Sequence, residues 1–274
     1  MLEAGRLLLL VGGGKMGEAL LVGWLRHGLA PEAVLVVEPD AARRQALATT
    51  HAVRAVAAPE ELPEAGTLGA LVLAVKPQMM DRALPAYVGR VAPDTLVLSI
   101  AAGKPIAYFE RMLGQPLGVV RAMPNTPAAV GRGVTVLCAN AAARKEQRAL
   151  AERLMAAVGA TYWIEDEELM HAVTAVSGGG PAYVFHLIEA LAAAGTAAGL
   201  PEALAMALAR GTVVGAGELA RLSDESAAQL RINVTSPGGT TAEALKVLMA
   251  EDRGLIPLMV EAVAAAARRS RELA

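Results

Sequence analysis

Cysteine and aromatic residues are scarce in this sequence, and each scarcity excludes a class of protein. The 274 residues include one cysteine, Cys138, so no internal disulfide can form. A single thiol in the aliphatic run 134–138 is typical of a small buried residue, and the chain suits the reducing cytoplasm. Only 3% of the residues are aromatic, which is too few for a surface that stacks nucleic-acid bases.

Charge of one sign and long uncharged apolar runs are also missing. The 25 basic and 27 acidic residues give a net charge of −2 without a basic cluster, so we expect no nucleic-acid partner. The mean hydropathy of +0.42 raises the question of a membrane span. Glu189, Glu202 and Glu261 interrupt the longest apolar stretches, and none offers the roughly 20 uncharged residues of a span. We therefore expect no membrane association.

The sequence also lacks a cluster of side chains that would form a metal site or a nucleophile–base pair. No group of cysteine, histidine and aspartate has the spacing of metal ligands, so we expect no metal. His27 and His51 follow predicted helices at surface positions. His171 and His186 lie on predicted helices, where packing or interface roles are more common than catalysis.

The first part of the chain, residues 1–164, alternates short apolar runs with helical patterns. Predicted helices cover residues 16–27 and 40–48, among others. The predicted strands cover residues 7–11, 34–38, 70–75, 95–99, 119–123 and 134–138. Because the runs are continuously apolar, the strands should be buried on both faces. The pattern predicts an α/β, Rossmann-like, doubly wound parallel sheet.

The second part, residues 165–274, shows helical patterns only, at residues 169–176, 182–198, 201–219, 226–230, 242–249 and 255–271. Between residues 182 and 217 only Glu189, Glu202 and Arg210 carry formal charge. Helices of this kind need burial nearly all round, and about 110 residues enclose too little volume for that. We therefore predict an all-α domain that forms an obligate homodimer.

A glycine motif marks the first candidate site. Gly12, Gly14 and Gly17 follow the first predicted strand and open the first predicted helix. In such a turn the first glycine permits the sharp bend, the second lets a pyrophosphate approach the backbone, and the third allows close helix–sheet packing. The pattern predicts a dinucleotide site; the alternative is a glycine turn without a ligand.

Glu38 ends the second predicted strand, where an acidic residue holds the ribose hydroxyls of the adenosine. Its charge would oppose the 2′-phosphate of NADPH, so we expect NADH to serve at least as well as NADPH. Arg43 and Arg44 follow one to two helical turns later and offer a compensating attraction. We interpret both arginines as residues of a solvated helix face.

A second candidate site lies at residues 234–241. This segment combines Pro237, Gly238 and Gly239 with the hydroxyl groups of Thr235, Ser236, Thr240 and Thr241, and a helical pattern follows it. Glycines permit a tight turn, and the free N–H groups of a helix start bind a carboxylate or phosphate. The alternative is a plain turn with threonine caps.

Two further loops leave alternatives open. Three consecutive glycines, Gly178 to Gly180, interrupt two helical patterns; they indicate either a close approach of backbone or ligand, or a plain loop. Proline restricts the backbone at Pro124 and Pro127, so residues 121–127 should form a rigid loop. Asn125 within it serves either as a cap or as a ligand contact.

Taken together, these segments resemble the pyrroline-5-carboxylate reductases. The resemblance covers nearly the whole chain, and the later motifs are the more specific ones; it is carried by residues 11–19, 73–78, 99–103, 121–127, 177–185, 189–191 and 230–241. It implies reduction of L-1-pyrroline-5-carboxylate to L-proline by NADH or NADPH, at a site between the nicotinamide and the 236–241 turn. It also implies an interlocked helical homodimer, which some relatives extend to a larger ring.

The resemblance implies a role for individual residues. The cofactor-binding residues would be Gly12, Gly13, Gly14, Lys15, Met16, Gly17, Glu38, Ala74, Val75, Lys76, Pro77, Ala101, Ala102 and Asn233. The substrate-binding residues would be Glu167, Gly239, Thr240 and Thr241, with Thr241 and Ser236 as the catalytic pair. For Glu167, a solvated helix start is an equal alternative. The chain departs from many relatives at Glu38, Pro59, Gly179 and Ile232.

Two other functions stay open at this point. A 3-hydroxyacid dehydrogenase has the same two-part plan, but it uses a lysine after the nucleotide domain, and no lysine occurs between Lys145 and Lys246. A non-catalytic dinucleotide-binding regulator would not need the hydroxyl-rich turn. An assay with pyrroline-5-carboxylate that follows nicotinamide absorbance separates the three.

Overall fold

The computed structural model describes residues 2, 5–62 and 67–273. The chain divides into two compact units. One comprises residues 1–178 together with 267–274, and the other comprises residues 179–266.

The first unit is built on one eight-stranded sheet. Its strands are β1 (Leu7–Val11), β2 (Val34–Val37), β3 (Arg54–Val56), β4 (Leu68–Leu73), β5 (Leu96–Ser99), β6 (Val119–Met123), β7 (Gly133–Ala139) and β8 (Gly159–Trp163). Its helices are α1 (Lys15–Arg26), α2 (Ala41–His51), α3 (Met80–Ala83), α4 (Ile106–Leu113), α5 (Lys145–Ala156) and α6 (Met170–Val173). A π-helical segment, Thr174–Gly178, follows α6.

The strand order is β3-β2-β1-β4-β5-β6-β7-β8. Strands β1 to β6 pair in parallel, and β1 lies between β2 and β4. This order places a topological switch point at β1, beside which open α/β sheets bind their ligands. The predicted doubly wound sheet is therefore confirmed.

The continuous apolar runs divide between two cores, as predicted for strands buried on both faces. Within β1, Leu8 and Leu10 belong to one core, and Leu9 and Val11 belong to the other. Successive side chains of a strand point to opposite faces, so an unbroken apolar run serves both. The first core includes side chains from α1, α2 and α5, and the second includes side chains from α3 and α4.

The strand prediction was incomplete at both edges of the sheet. It missed β3, which has three residues and begins with the exposed Arg54. It also missed β8, whose residues alternate between partly buried and exposed. Edge strands lack the long apolar runs that made the inner strands recognisable.

One strand also runs in an unexpected direction. Strand β7 pairs with β6 in the antiparallel sense, and β8 then pairs with β7 in parallel. The chain returns from β6 to β7 through the short 3₁₀ segment Thr126–Val130 rather than through a crossover helix. Parallel neighbours need a long crossover, so the brevity of this connection explains the reversal.

The second unit is entirely helical within the described residues. It contains α7 (Gly180–Ala197), α8 (Glu202–Leu222), α9 (Ala227–Asn233), α10 (Thr240–Leu248) and most of α11 (Leu255–Glu272). Helices α7 and α8 pack against each other; a Cβ atom added to Gly195 would lie 3.2 Å from the Cβ of Ala205. The predicted helices of this half are confirmed, with bounds shifted by a few residues.

Large apolar side chains of the second unit are widely exposed. Phe185 is 60% exposed, Val214 is 64% exposed and Ile256 is 72% exposed. In α7 and α8 only Ala192, Ala205 and Ala209 are buried. Contiguous apolar surface of this kind marks an interaction site. Among the described helices, α8 alone has the length and apolar composition of a membrane span, which is weak evidence by itself; Arg210 lies near its middle.

Candidate functional site

The glycine turn after β1 is shaped by close backbone contacts. Gly12 has a φ of 97°, and a Cβ atom added there would lie 2.9 Å from the carbonyl oxygen of Ala74. A Cβ atom on Gly17 would lie 2.1 Å from the carbonyl oxygen of Gly12. Both glycines are therefore required by neighbouring backbone. A Cβ atom on Gly14 would meet nothing within 4 Å, so Gly14 is the glycine that keeps space free for a ligand.

The start of α1 presents unpaired N–H groups at this turn. Gly14 caps the helix without any side-chain hydrogen bond, and the N–H of Glu18 is the first to bond within the helix, to Gly14 at 2.8 Å. The N–H groups of Lys15, Met16 and Gly17 therefore lack helical partners. With the helix dipole they form an anion site suited to a pyrophosphate.

A cavity of about 690 Å³ opens beside the turn, a volume typical of small-molecule sites. Gly12 and Gly14 line it together with Glu38 at the end of β2. Ala74, Val75 and Lys76, which follow β4, form part of its wall, and their predicted cofactor contact stays a prediction. The wall also includes residues that the sequence analysis missed, namely Ala57, Ala58, Glu60, Met79, Arg82, Ala83, Ala86 and Tyr87.

The missed residues follow β3 and β4 in the chain. Ala57 to Glu60 come directly after β3, the strand that was itself not recognised. A general rule could have found them, because ligands in open parallel sheets lie beyond the carboxyl ends of the strands. Pro59 also lines this wall.

Glu38 is buried, and its carboxylate accepts hydrogen bonds from two backbone N–H groups. Its Oε2 accepts a hydrogen bond from the N–H of Gly13 at 2.8 Å, and its Oε1 accepts one from the N–H of Asp40 at 3.0 Å. Each carboxylate oxygen has a second lone pair, so Glu38 can accept ribose hydroxyls while it supports the turn. Its predicted ribose contact stays a prediction.

The interpretation of Arg43 and Arg44 as a solvated helix face was wrong. The Nε of Arg43 donates to the carbonyl of Gly13, and its Nη2 donates to Glu18 at 3.1 Å. The Nη1 of Arg44 donates to the carbonyls of Glu38 and Pro39, at 3.0 Å each. Because α2 begins only a few residues after β2, its first turn reaches back over the glycine turn.

Three further predicted site residues lie in the first unit, Ala101 and Ala102 after β5 and Glu167 after β8. Ala101 is buried, and its N–H donates to the Oγ of Ser99 at 3.2 Å; Ala102 is partly exposed. Glu167 begins a 3₁₀ turn, and its Oε1 accepts from Nη1 of the buried Arg121 at 2.8 Å and from the N–H of Ile106 at 2.9 Å. The Glu167 side chain is 28% exposed, so it is an ion-pair partner with one face open rather than a solvated helix start.

Asn125 proves to be a structural brace. Its Oδ1 accepts from the N–H of Val134 at 2.8 Å, and its Nδ2 donates to the carbonyl of Ser177 at 3.1 Å. Asn125 thus joins the 123–127 loop to β7 and to the π-helical segment. It precedes the 3₁₀ segment without a side-chain cap bond, and its ligand contact stays a prediction. A Cβ atom on Gly178 would lie 2.5 Å from the flexible Cε end of Met123, and one on Gly180 would meet nothing within 4 Å. Neither glycine therefore shows a close backbone approach, and the glycine run joins the π-helical segment to α7 rather than forming a plain loop.

The 236–241 turn carries the second anion site, in the helical unit. Gly238 has a φ of 69°, and the N–H of Gly239 bonds to the carbonyl of Ser236 at 3.0 Å. No side chain caps α10. Its first helical bond is from Glu243 to Gly239 at 3.3 Å, so the N–H groups of Thr240 and Thr241 lack helical partners.

The hydroxyl groups around this turn face outward. Ser236, Thr240 and Thr241 are exposed, and none of their hydroxyls is bonded to another of the described residues. The turn therefore offers both N–H and O–H donors to a carboxylate. Asn233, predicted to reach the cofactor, bonds Gln229 at 2.8 Å and Glu225 at 2.9 Å, and its cofactor contact stays a prediction.

The histidines hold mostly structural positions. His171 is buried, and its Nδ1 lies 2.9 Å from the Oγ of Ser270, in agreement with the expected packing role. His27 and His186 are exposed. His51 differs from its predicted surface position: its side chain is 13% exposed, and Nε2 lies 3.2 Å from Oε1 of Glu18.

Two other ionisable groups are poor proton donors at neutral pH. Tyr108 donates to Oδ1 of Asp81 at 2.7 Å; burial and that hydrogen bond raise the pKa of Tyr108 to about 12. Burial also raises the pKa of the Cys138 thiol, which is consistent with the predicted role of Cys138 as a small buried residue. Neither side chain is therefore a candidate general acid at neutral pH.

Two family models match this chain. The family model described as "Pyrroline-5-carboxylate reductase dimerisation" matches residues 167–273. The model described as "NADP oxidoreductase coenzyme F420-dependent" matches residues 7–103. The first match includes the 236–241 turn, and the second includes the glycine turn.

Individual relatives extend over the whole chain. A curated pyrroline-5-carboxylate reductase of Synechocystis sp. is 45% identical over 96% of this chain and 97% of its own length. A solved pyrroline-5-carboxylate reductase of Coxiella burnetii superposes with a TM-score of 0.92 at 35% identity, covering 98% of this chain and 99% of that one. The Plasmodium falciparum enzyme, solved with NADP bound, gives 0.82 at 30% identity, covering 100% and 99%.

Substitutions at two glycines should separate ligand space from backbone packing. Gly14→Ala places its methyl group in open space, so its unfolding temperature should stay within a few degrees of wild type, while dinucleotide binding weakens about tenfold or more. Gly17→Ala forces its methyl group onto the Gly12 carbonyl and should lower the unfolding temperature. Calorimetric titration and thermal unfolding measure the two effects. Unchanged dinucleotide affinity in Gly14→Ala would place the pyrophosphate elsewhere.

Proposed function

Because the chain belongs to the pyrroline-5-carboxylate reductase family, we propose that it reduces L-1-pyrroline-5-carboxylate to L-proline with NADH or NADPH. The observation that carries this proposal is a pair of uncapped helix starts. The start of α1 adjoins the 690 Å³ cavity, and the start of α10 adjoins three outward-facing hydroxyl groups. One anion site suits the pyrophosphate of the cofactor and the other suits the carboxylate of the substrate.

The proposed cofactor-binding residues lie in the first unit, except for Asn233, which lies in the helical unit. The backbone from Gly12 to Gly17 would hold the pyrophosphate, and Glu38 would hold the adenosine ribose. The nicotinamide half would lie along Ala74 to Pro77 and along Ala101 and Ala102, with Asn233 as a further contact. The open space at Gly14 and the unpaired N–H groups of α1 fit this group. A bound nicotinamide dinucleotide supplies the hydride that reduces the C=N bond.

The substrate residues follow from the 236–241 turn. The N–H groups of Gly239, Thr240 and Thr241 would hold the substrate carboxylate, since helix starts favour a negative charge. The hydroxyl of Thr241, with Ser236 beside it, would hydrogen-bond the ring nitrogen and help to deliver its proton. Glu167 would approach the substrate through the face that Arg121 and Ile106 leave open.

Positioning supplies most of the catalysis in this proposal. An imine nitrogen is itself basic, so a strong protein acid is unnecessary, in agreement with the raised pKa values of Tyr108 and Cys138. Holding the substrate in a reactive geometry removes an entropic barrier of several kcal/mol, about 7–11 kcal/mol in favourable cases. A hydroxyacid dehydrogenase would need a lysine that the chain lacks between Lys145 and Lys246.

Several broader features belong to the same proposal. We propose that the nucleotide-binding part extends over residues 1–164 and the substrate and dimerisation part over residues 165–274. A homodimer formed through the helical unit would cover its exposed apolar side chains, and a larger ring is a further assembly of such dimers. A cytoplasmic location, without membrane or nucleic-acid partners, agrees with the single free cysteine and the balanced charge.

The deciding experiment is a steady-state assay of purified protein. Consumption of NADH or NADPH would be followed by absorbance in the presence of pyrroline-5-carboxylate, with product proline identified by mass spectrometry. A 3-hydroxyacid such as 3-hydroxyisobutyrate, assayed in the oxidative direction, tests the dehydrogenase alternative. Binding of dinucleotide without turnover of either substrate would instead favour a regulator.

The hydroxyl of Thr241 should contribute one hydrogen bond to the reaction. Thr241→Val keeps the shape of the side chain but removes that bond, so kcat/KM should fall by roughly tenfold to a hundredfold, or about 1–3 kcal/mol. Thr241→Ser keeps the hydroxyl and should retain activity within severalfold. Kinetics of Thr241→Val that equal those of wild type would remove Thr241 from the mechanism.

The exposed apolar side chains of the helical unit should make the dimer obligate. Light scattering at low micromolar concentration is expected to show a dimer and no folded monomer, because burial of such side chains contributes roughly 25 cal/mol per Å². Phe185→Glu should disrupt assembly and folding together. Val130→Glu, a matched change at a residue 72% exposed in the first unit, should leave the dimer intact. A stable, monodisperse wild-type monomer would refute the proposal.

Glu38 should favour NADH over NADPH. A carboxylate beside the ribose opposes a 2′-phosphate, and close charges at partly exposed sites interact by about 1 kcal/mol or more. Glu38→Ser should therefore raise the ratio of NADPH to NADH efficiency, and Glu38→Gln should do so with less loss of the Gly13 and Asp40 hydrogen bonds. Thermal unfolding monitors that loss. A wild type that prefers NADPH a hundredfold would exclude this role.

A further inference from the structure

A carboxylate on α1 connects two basic side chains beside the glycine turn. The Oε2 of Glu18 accepts from Nη2 of Arg43 at 3.1 Å, and its Oε1 lies 3.2 Å from Nε2 of His51. Glu18 is thus held from two sides, by residues at the two ends of α2. The side chains of Glu18 and Arg43 are 43% and 35% exposed, so a charged ligand can compete for the pair.

Arg43 is also fixed on the turn itself. Its Nε donates to the carbonyl of Gly13, while the N–H of Gly13 donates to Oε2 of Glu38 at 2.8 Å. The N–H of Gly13 therefore bonds to the Glu38 carboxylate, and its carbonyl bonds to the Arg43 guanidinium. Arg43 thus shares a backbone partner, Gly13, with the acidic group that would hold the ribose, where a 2′-phosphate would add its charge.

The remaining donors of Arg43 are available. Its Nη1 has no hydrogen bond to the described residues, whereas Nη1 of the neighbouring Arg44 is occupied by the carbonyls of Glu38 and Pro39. A guanidinium that keeps a free N–H edge can bind phosphate oxygens. The charge of Arg43, however, is balanced by Glu18, which weakens its attraction for a phosphate.

We propose that Glu18 is a specificity-determining residue that controls the balance between NADPH and NADH through Arg43. Glu18 holds and neutralises the guanidinium, so the negative charge of Glu38 dominates at the ribose and NADH is favoured. His51 positions the Glu18 carboxylate from its other oxygen. This inference rests on the proposed use of a nicotinamide dinucleotide, and it assigns a role to α1 residues beyond the glycine motif.

Glu18 and Glu38 would act on different parts of the dinucleotide. Glu38 acts on the ribose directly, so its removal should affect both dinucleotides. Glu18 would act on the 2′-phosphate alone and only through Arg43, so its removal should affect NADPH and leave NADH unchanged. A double-mutant cycle with Arg43 measures this dependence directly.

The test is calorimetric binding of NADPH and NADH to wild type, Glu18→Gln, Arg43→Gln and the double variant. Glu18→Gln should tighten NADPH binding about fivefold, a change expected for one partly exposed charge, with NADH affinity within twofold. Arg43→Gln should weaken NADPH binding. In the Arg43→Gln background, the Glu18→Gln change should alter NADPH affinity by less than twofold.

Two matched variants serve as controls. Glu152→Gln removes an equivalent charge from an exposed position on α5 and should leave both affinities unchanged. Arg82→Gln removes the guanidinium that lines the cavity wall after β4, whereas Arg43 lies behind the glycine turn and outside that lining. If Arg82→Gln lowers NADPH affinity while Arg43→Gln does not, the phosphate is bound by the wall after β4 and the proposal is overturned.

Fragment binding makes the outcome independent of catalysis. Adenosine 2′,5′-bisphosphate should bind Glu18→Gln more tightly than wild type, and adenosine 5′-monophosphate should bind both equally. A Glu18→Gln effect that persists in the Arg43→Gln background would show direct repulsion and overturn the positioning role. An unchanged affinity ratio in Glu18→Gln would do the same. Absence of binding by any dinucleotide would contradict the proposed function instead.

Discussion

The architecture of the nucleotide-binding unit depends on a close backbone contact between Gly12 and Gly17, which leaves no room for a side chain. A Cβ atom on Gly17 would lie 2.1 Å from the carbonyl oxygen of Gly12. A Cβ atom on Gly12 would in turn lie 2.9 Å from the carbonyl oxygen of Ala74, which follows β4. This contact seats the start of α1 directly on the ends of β1 and β4. The unpaired N–H groups of α1 are placed by where that helix begins, and Gly12 and Gly14 line the cavity beside them. A methyl group at Gly17 would force the start of α1 away from Gly12.

The inner part of this unit could be predicted from sequence because its strands are mainly apolar runs, although β6 also contains the buried Arg121. Strand β6 was predicted with its observed bounds, Val119–Met123, and β1 with Leu7–Val11. The edges could not be predicted in the same way. Strand β3 has only three residues, and β8 shows exposed residues at alternate positions. The reversal of β7 depends on the length of a connection rather than on the composition of the strand.

The candidate site shows a similar division. The glycine spacing and the hydroxyl-rich turn are local patterns, and the structure forms an uncapped helix start at each. Contacts between residues that are far apart in the sequence have no such local pattern and could not be predicted. The pair of Arg121 and Glu167 joins residues 46 positions apart, and Arg43 reaches Gly13 over 30 positions. Asn125 offered two functions by its chemistry, and only the fold shows that both ends of its amide are used for support.

The outermost strands of the sheet bear on how copies of the chain can meet. An open sheet edge is a template for pairing with another chain, and short or charged edge strands suppress it. Strand β3 is only three residues long and begins with an exposed arginine, so fibril-like growth by strand addition is disfavoured at that end. The backbone N–H groups within the helices are bonded inside each helix, so copies of the chain can associate there only through packing of their apolar side chains. Copies of the chain are therefore expected to associate through the helices rather than through the β3 edge of the sheet.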